Sequence, residues 1–267
     1  MSDLLSVSGQ QIRLFRQMIL IKKFDYFSQY TTPWHQHTAG QLYQIKRGVI
    51  AVETEKAQWS VTAGTLGWFP PGNRHRAVAI GAVEGISFYL DLDDCNLFPS
   101  SEGIYGADPF VLNLLDRTAR RHDPDDSKEY KSSLMTLLGR EIMRSPKLAL
   151  NLPLPDDRRA RNVADALLKN PECSWDQEQL ALKWGLSSRH LSRLFRQQTG
   201  LSFSQWRQQA KIIASLPWVL AGQLISEIAE RSGYRNVSAY IEAFKKRFGQ
   251  TPGQFQINRR ITTSSPK

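Results

Sequence analysis

A near-repeat in the C-terminal third constrains the fold of this chain more than any other feature. The first copy reads LALKWGLSSRHLSRLFRQQTG from Leu180, and the second reads IAERSGYRNVSAYIEAFKKRFG from Ile228. In each copy an apolar-alanine pair precedes a glycine, Gly185 or Gly233, and a second glycine closes the segment. Such a repeat predicts one supersecondary unit that is used twice.

Each copy has the pattern of a helix-turn-helix unit, in which a turn glycine with positive φ lets two helices cross steeply. In the first copy, Ser187 is the predicted cap of a helix from Ser188 to about Thr199, with leucines and a phenylalanine on its inner face. In the second copy, Asn236 is the predicted cap. Both helices therefore have an opposite, polar face that is free for a partner.

The polar faces of these two helices carry the residues that we expect to contact DNA. Arginines recur on the first face, and arginine can pair bidentately with guanine or hold a phosphate. The second face is less basic: Ile241 suits a thymine methyl group, and Glu242 either accepts from a cytosine amine or repels the DNA backbone. Lys245, Lys246 and Arg247 are predicted to contact phosphates. The predicted DNA-binding residues are Ser188, Arg189, Ser192, Arg193, Arg196, Val237, Ser238, Ile241, Glu242, Lys245 and Lys246. The alternative for both faces is an ordinary solvated helix surface.

The excess positive charge lies in the same part of the chain. The net charge is +10; residues 156–267 hold 18 lysines and arginines against 9 acidic residues, whereas residues 1–155 hold 17 against 16. A basic domain beside a neutral one favours a polyanion partner, through counterion release from a phosphate backbone. Charge alone would also fit a domain kept soluble by repulsion, but together with the repeat it predicts double-stranded DNA as the partner.

Residues from about Leu167 to Phe255 resemble the DNA-binding domain of the AraC/XylS family of bacterial regulators. The matching stretches are LALKWGLSSRHLSRLFRQQTGLSFSQW and ISEIAERSGYRNVSAYIEAFKKRFGQTPGQF, and the second contains the FG-x-TP ending of the family signature. The resemblance implies two recognition helices that enter successive major grooves and a long helix between them. It also implies that activation through contact with RNA polymerase is commoner than repression.

The segment between the two units departs from the family pattern. The family usually has an Arg-Leu pair there, whereas this chain has Lys211 and Ile212, and Pro217 follows soon after. Because proline interrupts a helix, we expect a shorter or bent connecting helix.

The rest of the chain predicts a separate sheet domain. Short runs rich in Val, Ile, Tyr, Phe and Trp between Lys22 and Asp91, including Gln41–Ile45 and Val49–Glu53, alternate with glycines and prolines, as in an all-β sandwich or barrel. Two amphipathic segments follow and predict a helical hairpin joined at residues 123–126. Their predicted inner faces are Phe110, Leu114 and Leu115, then Leu134, Leu137, Leu138, Glu141 and Ile142.

The stretch LNLPLPDD resists helix and strand, so it is the predicted linker. The fold class is therefore a two-domain α+β protein. Residues 1–149 are the predicted sensor and dimerisation domain, a β-barrel with the helical hairpin. Residues 150–157 are the linker, and residues 158–267 are an all-α domain of two tandem helix-turn-helix units.

A second motif lies between residues 35 and 75. His35 and His37 are two residues apart, so on a strand they would share one face, and His75 follows a Pro-Gly turn that can return the chain to them. The pattern resembles the two cupin motifs, which bring three imidazoles and a carboxylate onto one metal ion. The resemblance implies that the predicted β-barrel of residues 1–149 is cupin-like. Here Gln41 stands at the carboxylate position and Ala79 where an asparagine is usual.

Two readings of this motif stay open. In one, a divalent transition metal such as Zn²⁺, Ni²⁺ or Cu²⁺ is held by His35, His37, Gln41 and His75. Such an ion is lost when the imidazoles become protonated, at a pH of about 6.5. In the other, the amide in place of a carboxylate leaves a metal-free pocket or plain core histidines. The candidate residues for a pocket that holds an unknown small effector are Trp34, Tyr43, Trp68, Arg74 and Arg76, of which the arginines suit an anion.

The main functional prediction is a transcription regulator, not an enzyme, that acts as a homodimer in the cytoplasm. A metal-dependent oxygenase or isomerase fused to a DNA-binding domain is the alternative, and Gln41 argues against it. A constitutive DNA-binding protein is a third interpretation. The two cysteines match no metal spacing, the N-terminus has no secretory pattern, and no apolar run approaches the ~18 residues of a membrane span.

Overall fold

The computed structural model describes residues 20–26, 30–119, 127–170 and 172–261. The predicted hairpin turn at 123–126 and the N-terminal segment 1–19 lie outside these ranges. Sheet elements occupy the N-terminal half and helices the C-terminal half, so the predicted two-domain α+β architecture is confirmed. Within the described ranges, no helix is both long and apolar enough to cross a membrane.

The N-terminal half forms one sheet of eight strands. The strands are β1 (Leu20–Tyr26), β2 (Gly40–Thr54), β3 (Ala57–Thr62), β4 (Thr65–Phe69), β5 (His75–Leu90), β6 (Gly103–Gly106), β7 (Lys147–Leu148) and β8 (Asn151–Pro153). Their order is β1-β5-β2-β4-β6-β7, with β3 paired to β2 and β8. The runs predicted as separate strands at 41–45 and 49–53 are one long strand, because Gly48, with a φ of 81°, absorbs a register irregularity without ending the pairing with β5.

Three helices belong to this domain: α1 (Leu92–Cys95), α2 (Pro109–Ala119) and α3 (Lys128–Arg144). Helices α2 and α3 form the predicted hairpin and pack on one face of the sheet around Leu42 and Trp68. The predicted inner faces are partly wrong, since Phe110 is 53% exposed and Leu137 is 38% exposed. In α2 the buried stripe begins at Val111, which takes the place that we predicted for Phe110.

The predicted linker contains a strand. The prediction that residues 150–157 resist strand formation is wrong for Asn151–Pro153, which pairs with β3. Leu152 is fully buried, and proline is tolerated here because β8 is a short strand that uses Pro153 as its last residue. This strand brings the chain from the sheet to the first helix of the second domain.

The second domain is entirely helical over its described residues. Its helices are α4 (Arg158–Lys169), α5 (Gln177–Lys183), α6 (Ser188–Thr199), α7 (Phe203–Ala214), α8 (Leu216–Leu220), α9 (Ile225–Arg231), α10 (Val237–Phe248) and α11 (Pro252–Ile261). The connecting helix between the two repeats is interrupted at Ser215, just before Pro217, as the sequence predicted.

The two domains share a continuous apolar interface. Val49, Ala51 and Ile80 of the sheet belong to the same buried cluster as the core of the helical domain. The indole of Trp206 donates a hydrogen bond to the carbonyl of Pro153 at 2.6 Å. The helical domain is therefore packed against the sheet directly, through α7 and α8.

Candidate functional sites: two recognition helices and a histidine cluster

The first helix-turn-helix unit consists of α5 and α6. Gly185 forms the turn with a φ of 68°. The Ser187 hydroxyl accepts from the backbone of His190 at 3.2 Å and starts α6, and Gly200 ends that helix with a φ of 73°. The predicted cap, turn and helix bounds are confirmed.

The polar face of α6 leaves its arginines available. Arg189, Arg193 and Arg196 are all exposed. Gln177 ties this face to the preceding helix, because its amide donates to the Ser192 hydroxyl at 2.6 Å and to the backbone carbonyl of Ser188 at 2.8 Å. The arginines and the Ser188 hydroxyl are therefore the groups on this face that can reach a partner without breaking the contact between α5 and α6.

The second unit, α9 and α10, repeats the local construction. Gly233 has a φ of 67°, and the side chain of Asn236 accepts from the backbone of Ala239 at 2.8 Å. Of the predicted contact residues, Ile241 is partly buried and the remainder are exposed: Val237, Ser238, Glu242, Lys245 and Lys246.

Arg247 does not follow the two lysines before it. Its guanidinium turns inward, donates from Nη1 to the Gln209 side-chain oxygen at 2.8 Å, and lines a cavity between the domains. The expectation of a phosphate contact at Arg247 is therefore wrong in this arrangement, because the side chain is directed toward α7 and away from the exposed face of α10.

His35, His37 and His75 come together in the sheet domain. One ring nitrogen of each lies within 4.8 Å of one from each of the others. The rings of His35 and His75 are 4.6 Å apart between centroids, because the two residues form a backbone bridge with hydrogen bonds of 2.9 and 2.8 Å. The bridge, and not a regular strand through both His35 and His37, produces the convergence that the sequence predicted.

Hydrogen bonds to backbone carbonyls fix which nitrogen carries the proton on two of these rings. Nδ1 of His35 lies 2.7 Å from the carbonyl of Pro33, and Nδ1 of His75 lies 2.8 Å from the carbonyl of Asn73. Since a carbonyl only accepts, both Nδ1 atoms carry the proton, and in the neutral rings both Nε2 atoms hold a lone pair. Nε2 of His37 is buried without a hydrogen-bond partner among the described residues.

Gln41 completes the cluster. Its Oε1 lies 2.9 Å from Nε2 of His75, and its Nε2 lies 2.8 Å from the Ser87 hydroxyl and 2.9 Å from the Tyr89 hydroxyl. A neutral His75 with its proton on Nδ1 cannot donate to an amide oxygen. The opposite amide orientation satisfies every group, because the NH₂ then donates to His75 and the oxygen accepts from both hydroxyls.

The cluster favours neutral imidazoles. Burial, and then the neighbouring His35 and His75, lowers the pKa of His37 to about 4. Burial also lowers the pKa of His75, although its hydrogen bond to Asn73 acts in the opposite direction. His37 and His75 are therefore neutral at pH 7, the state in which an imidazole binds a metal ion.

The arginines predicted for an effector pocket lie in a separate surface network. The guanidinium of Arg76 pairs with Glu53, that of Arg74 pairs with Glu55 at 3.3 Å, and both lie over the ring of Trp34 at 5.3 and 5.6 Å. Their charges are thus already partnered, so they do not form an anion site next to His75.

Two of the three aromatic residues predicted for the pocket, Tyr43 and Trp68, lie in different cores. Tyr43 is in the cluster around Phe69, whereas Trp68 belongs to the cluster under the helical hairpin, where it stacks on Phe98 at 4.8 Å and donates to the Pro99 carbonyl at 2.7 Å. The five predicted pocket residues therefore do not line one cavity. Alternating residues of paired strands point to opposite faces, which separates Tyr43 from Trp68.

Comparisons with known proteins match both halves of the chain. Residues 20–125 match the model of the AraC-like ligand binding domain, and residues 180–258 match a helix-turn-helix domain. The HTH-type transcriptional regulator NimR of Escherichia coli is 30% identical over 237 residues, which cover 89% of this chain and 86% of NimR. The HTH-type transcriptional activator RhaR of Cronobacter sakazakii is 23% identical over 88% of this chain and 94% of its own length.

Among solved structures, the chain is similar to unsaturated fatty acid bound ToxT from Vibrio cholerae, with a TM-score of 0.38 and 11% sequence identity. The match covers 91% of this chain and 97% of the ToxT chain. The relatives and the two domain matches decide the family. The chain belongs to the AraC family of HTH-type transcriptional regulators and is a DNA-binding transcription regulator with an N-terminal ligand-binding domain.

Proposed function

We propose that the sheet domain of this regulator binds one divalent transition metal ion through His35, His37 and His75, and that the ion alters DNA binding. The observation that carries the proposal is the buried Nε2 of His37, which has no partner among the described residues and lies beside two other imidazoles. A buried polar atom without a hydrogen bond is costly, and a metal ion would satisfy it.

The donor set suits a borderline metal. Three imidazole nitrogens favour Zn²⁺, Ni²⁺ or Cu²⁺ over Mg²⁺ or Ca²⁺, which prefer oxygen ligands. The carbonyls of Pro33 and Asn73 hold Nδ1 of His35 and His75, as the second shell of a metal site does, so that Nε2 can act as the ligand. Gln41 would have to give up its contact with Nε2 of His75.

Loss of the contact between Gln41 and His75 would allow metal binding to change the structure of the rest of the sheet. The Gln41 side chain also contacts Ser87 and Tyr89 on β5, the strand that packs against α8 of the helical domain. A change at Gln41 is therefore passed to a strand that the helix-turn-helix domain touches. We infer that this strand couples the metal to DNA affinity.

The helical domain supplies the DNA contacts. The exposed arginines of α6 would read one major groove, and Val237, Ser238 and Lys245 at the exposed face of α10 would enter the next, about 34 Å along the duplex. Each protomer should then protect two neighbouring major grooves on one face of DNA. Protection of a single groove would contradict the assignment of α10 as a reading helix.

The oligomeric state, the cellular location and the contact with RNA polymerase are separate parts of the proposal. We propose a cytoplasmic homodimer that contacts RNA polymerase, with the domain boundary in residues 150–157 and the hairpin of α2 and α3 as the dimer surface. The exposed apolar side chains of Phe110, Leu137 and Met143 on these helices support the dimer surface. Sedimentation of wild-type protein and of Phe110→Asp protein tests it, since the variant should be monomeric.

The decisive experiment measures metal and DNA binding on the same protein. Protein purified without an affinity tag is analysed for metals, stripped with a chelator and titrated with Zn²⁺, Ni²⁺ and Cu²⁺ against an indicator dye. Affinity for a DNA site selected from genomic fragments is then measured with and without the ion that binds. We expect one ion per chain and a change in DNA affinity.

The outcomes separate the alternatives. Failure of all three ions to bind would overturn the metal proposal and leave the histidines as core residues. Binding without any change in DNA affinity would overturn the sensory role. Metal-dependent turnover of an added substrate would favour the enzymatic alternative.

A further inference from the structure

The connection between the two helix-turn-helix units is not one uninterrupted helix. Helix α7 ends at Ala214, and α8 begins at Leu216 with Pro217 in its first turn. Proline has no backbone N–H, so it removes one hydrogen bond that would stiffen a continuous helix. The orientation of the second unit relative to the first therefore depends also on contacts outside the connecting helix.

One arginine makes such contacts. Arg231 is the last residue of α9, in the second unit. Its Nε donates to Oε1 of Glu172 at 2.8 Å, its Nη2 donates to the same oxygen, and the two side chains form an ion pair. Glu172 lies between α4 and α5, in the first unit. The ion pair therefore joins the two units directly.

The rest of the Arg231 guanidinium is engaged as well. Its Nη1 donates to the side-chain oxygen of Gln223 at 3.1 Å, and its central carbon lies 4.1 Å from the centroid of the Trp218 ring on α8. A planar guanidinium can stack with its face while it donates from its edge, so these contacts do not compete. Glu172, Trp218, Gln223 and Arg231 together form a clasp between the two units.

The partners of Arg231 are themselves held in place. Next to Glu172, the carbonyl of Cys173 accepts from Nη2 of Arg207 on α7 at 2.9 Å. The carbonyl of Gln223 accepts from the Gln256 amide on α11 at 2.8 Å. An isolated surface ion pair contributes little, because it must order two long side chains, whereas a network of charges and hydrogen bonds contributes more. The clasp is such a network.

We propose that the clasp sets the spacing between the two DNA grooves that one protomer reads, with Arg231 as its positioning residue. The proposal rests on the assignment of α6 and α10 as the two reading helices. A site with another spacing can be read at both grooves only if one unit turns relative to the other, and this movement breaks the contacts of Arg231. The free energy of the clasp is thus added to the penalty for a wrongly spaced site.

The test measures how strongly DNA binding depends on that spacing. Two duplexes are compared by fluorescence anisotropy on the full chain, kept metal-free with a chelator. One is the site selected from genomic fragments, and the other has one base pair inserted between the two grooves that a footprint shows to be protected. One base pair turns the second groove by about 35° around the duplex. We expect wild type to bind the lengthened duplex at least about 10-fold more weakly.

Two variants remove the clasp from either side. Arg231→Gln should reduce the ratio of the two affinities by about 5- to 10-fold, because it removes a networked ion pair and a cation–π contact at a surface. Glu172→Gln should reduce it by about 3-fold, because the contact with Trp218 remains. The double variant should lose no more than Arg231→Gln alone, because the two residues act as one pair. A partly unfolded fraction would lower both affinities equally and so leave the ratio intact.

The matched controls are Arg235→Gln and Glu178→Gln. Each removes an exposed charge outside the clasp, the first in the second unit and the second in the first unit. Both should leave the ratio of the two affinities at the wild-type value, even where the affinities themselves change.

The outcomes that contradict the proposal are distinct. Protection of a single groove by wild type would mean that the two-groove assignment is wrong, and the role of the clasp in spacing with it. Protection of both grooves with equal affinity for the two duplexes would overturn the clasp alone, as would a wild-type ratio in Arg231→Gln and Glu172→Gln. An equal loss on both duplexes in Arg231→Gln, absent from Glu172→Gln, would assign Arg231 to a DNA phosphate instead.

Discussion

The two domains use their polar side chains in opposite ways. In the helical domain, Arg189, Arg193 and Arg196 stand in solvent on α6, whereas in the sheet domain His75 and Gln41 are buried and hydrogen-bonded to neutral groups. Exposed charges act over a distance and are screened by salt, while buried neutral donors act only on what enters their site. One domain is thus suited to a large polyanion and the other to a small, specific effector.

The largest expected effect on this contrast comes from removing one predicted metal ligand. His37→Ala should reduce metal affinity by on the order of 100-fold or more, because removal of even an indirect partner of a metal ligand costs 10- to 100-fold. The dye competition assay measures it. DNA binding by the variant should no longer respond to the metal ion.

The control for this variant is Gln36→Ala, an exposed neighbour that should keep wild-type metal affinity. Unchanged metal affinity in His37→Ala would show that any bound ion is held by other residues. The histidine cluster would then not be the effector site, and the contrast with the exposed DNA-binding face would fail.

The second test removes an exposed charge from α6. Arg193→Ala should cost about 1–3 kcal/mol in affinity for the specific DNA site and less on non-specific DNA, because a base contact is lost only in the specific complex. Fluorescence anisotropy on both DNAs at several salt concentrations measures it. Metal affinity should stay at the wild-type value.

Arg140→Ala removes an exposed arginine of α3 in the sheet domain and is the charge-matched control. Equal losses on both DNAs for Arg193→Ala would assign Arg193 to a phosphate, and no loss on either would return the polar face of α6 to an ordinary solvated surface.

The features that the sequence predicted correctly are set by helix capping and turn formation between residues close together in the chain. Ser187, Asn236, Gly185 and Gly233 sit where local capping and turn chemistry require them, so the two units could be placed to the residue. The histidines also come together as predicted, although through the bridge between His35 and His75. In these cases the information lies within a few residues or in one strong pattern.

What the sequence did not predict depends on packing between elements. Arg247 continues a basic run, and only its contact with Gln209, 38 residues earlier, turns it inward. The cavity that Arg247 lines is formed where the two domains meet, for which one sequence gives no signal. The exposure of Phe110 has the same origin, because a shift of one residue in the buried stripe of α2 is decided by the sheet beneath it.

A third test adds charge to the buried site. Gln41→Glu should tighten metal binding by about 10-fold, because it places a carboxylate where the cupin pattern has one and adds an anionic ligand. The dye competition assay measures this as well. Gln44→Glu is the matched control and should not tighten binding, because this buried glutamine is three residues further along β2 and its side chain points to the opposite face of the strand.

A lower affinity in Gln41→Glu would mean that the new carboxylate pairs with His75 and keeps the ion out. That result would contradict the assignment of position 41 as a place from which a side chain can reach the metal.

The smallest expected effect is the pH dependence of stability in the metal-free protein. The folded-state pKa of His37 is about 4, whereas an unfolded histidine titrates near 6.5. Between these values the unfolded chain binds a proton that the folded chain does not, so the free energy of unfolding falls as the pH is lowered from about 6.5 to about 4. The lowered pKa of His75 acts in the same direction.

Because His37 is only partly buried, we expect it to contribute about 1 kcal/mol, less than its full shift would give. Urea unfolding of wild-type and His37→Asn protein at pH 7 and pH 5, both with a chelator, isolates this contribution, since the variant cannot titrate at position 37. The variant should lose less stability than wild type between the two pH values. His190→Asn, which removes an imidazole of the helical domain outside the cluster, is the control for the substitution itself. An equal loss in wild type and His37→Asn would mean that His37 is as well solvated as the arginines of α6, and the contrast between a buried and an exposed site would fail at this residue.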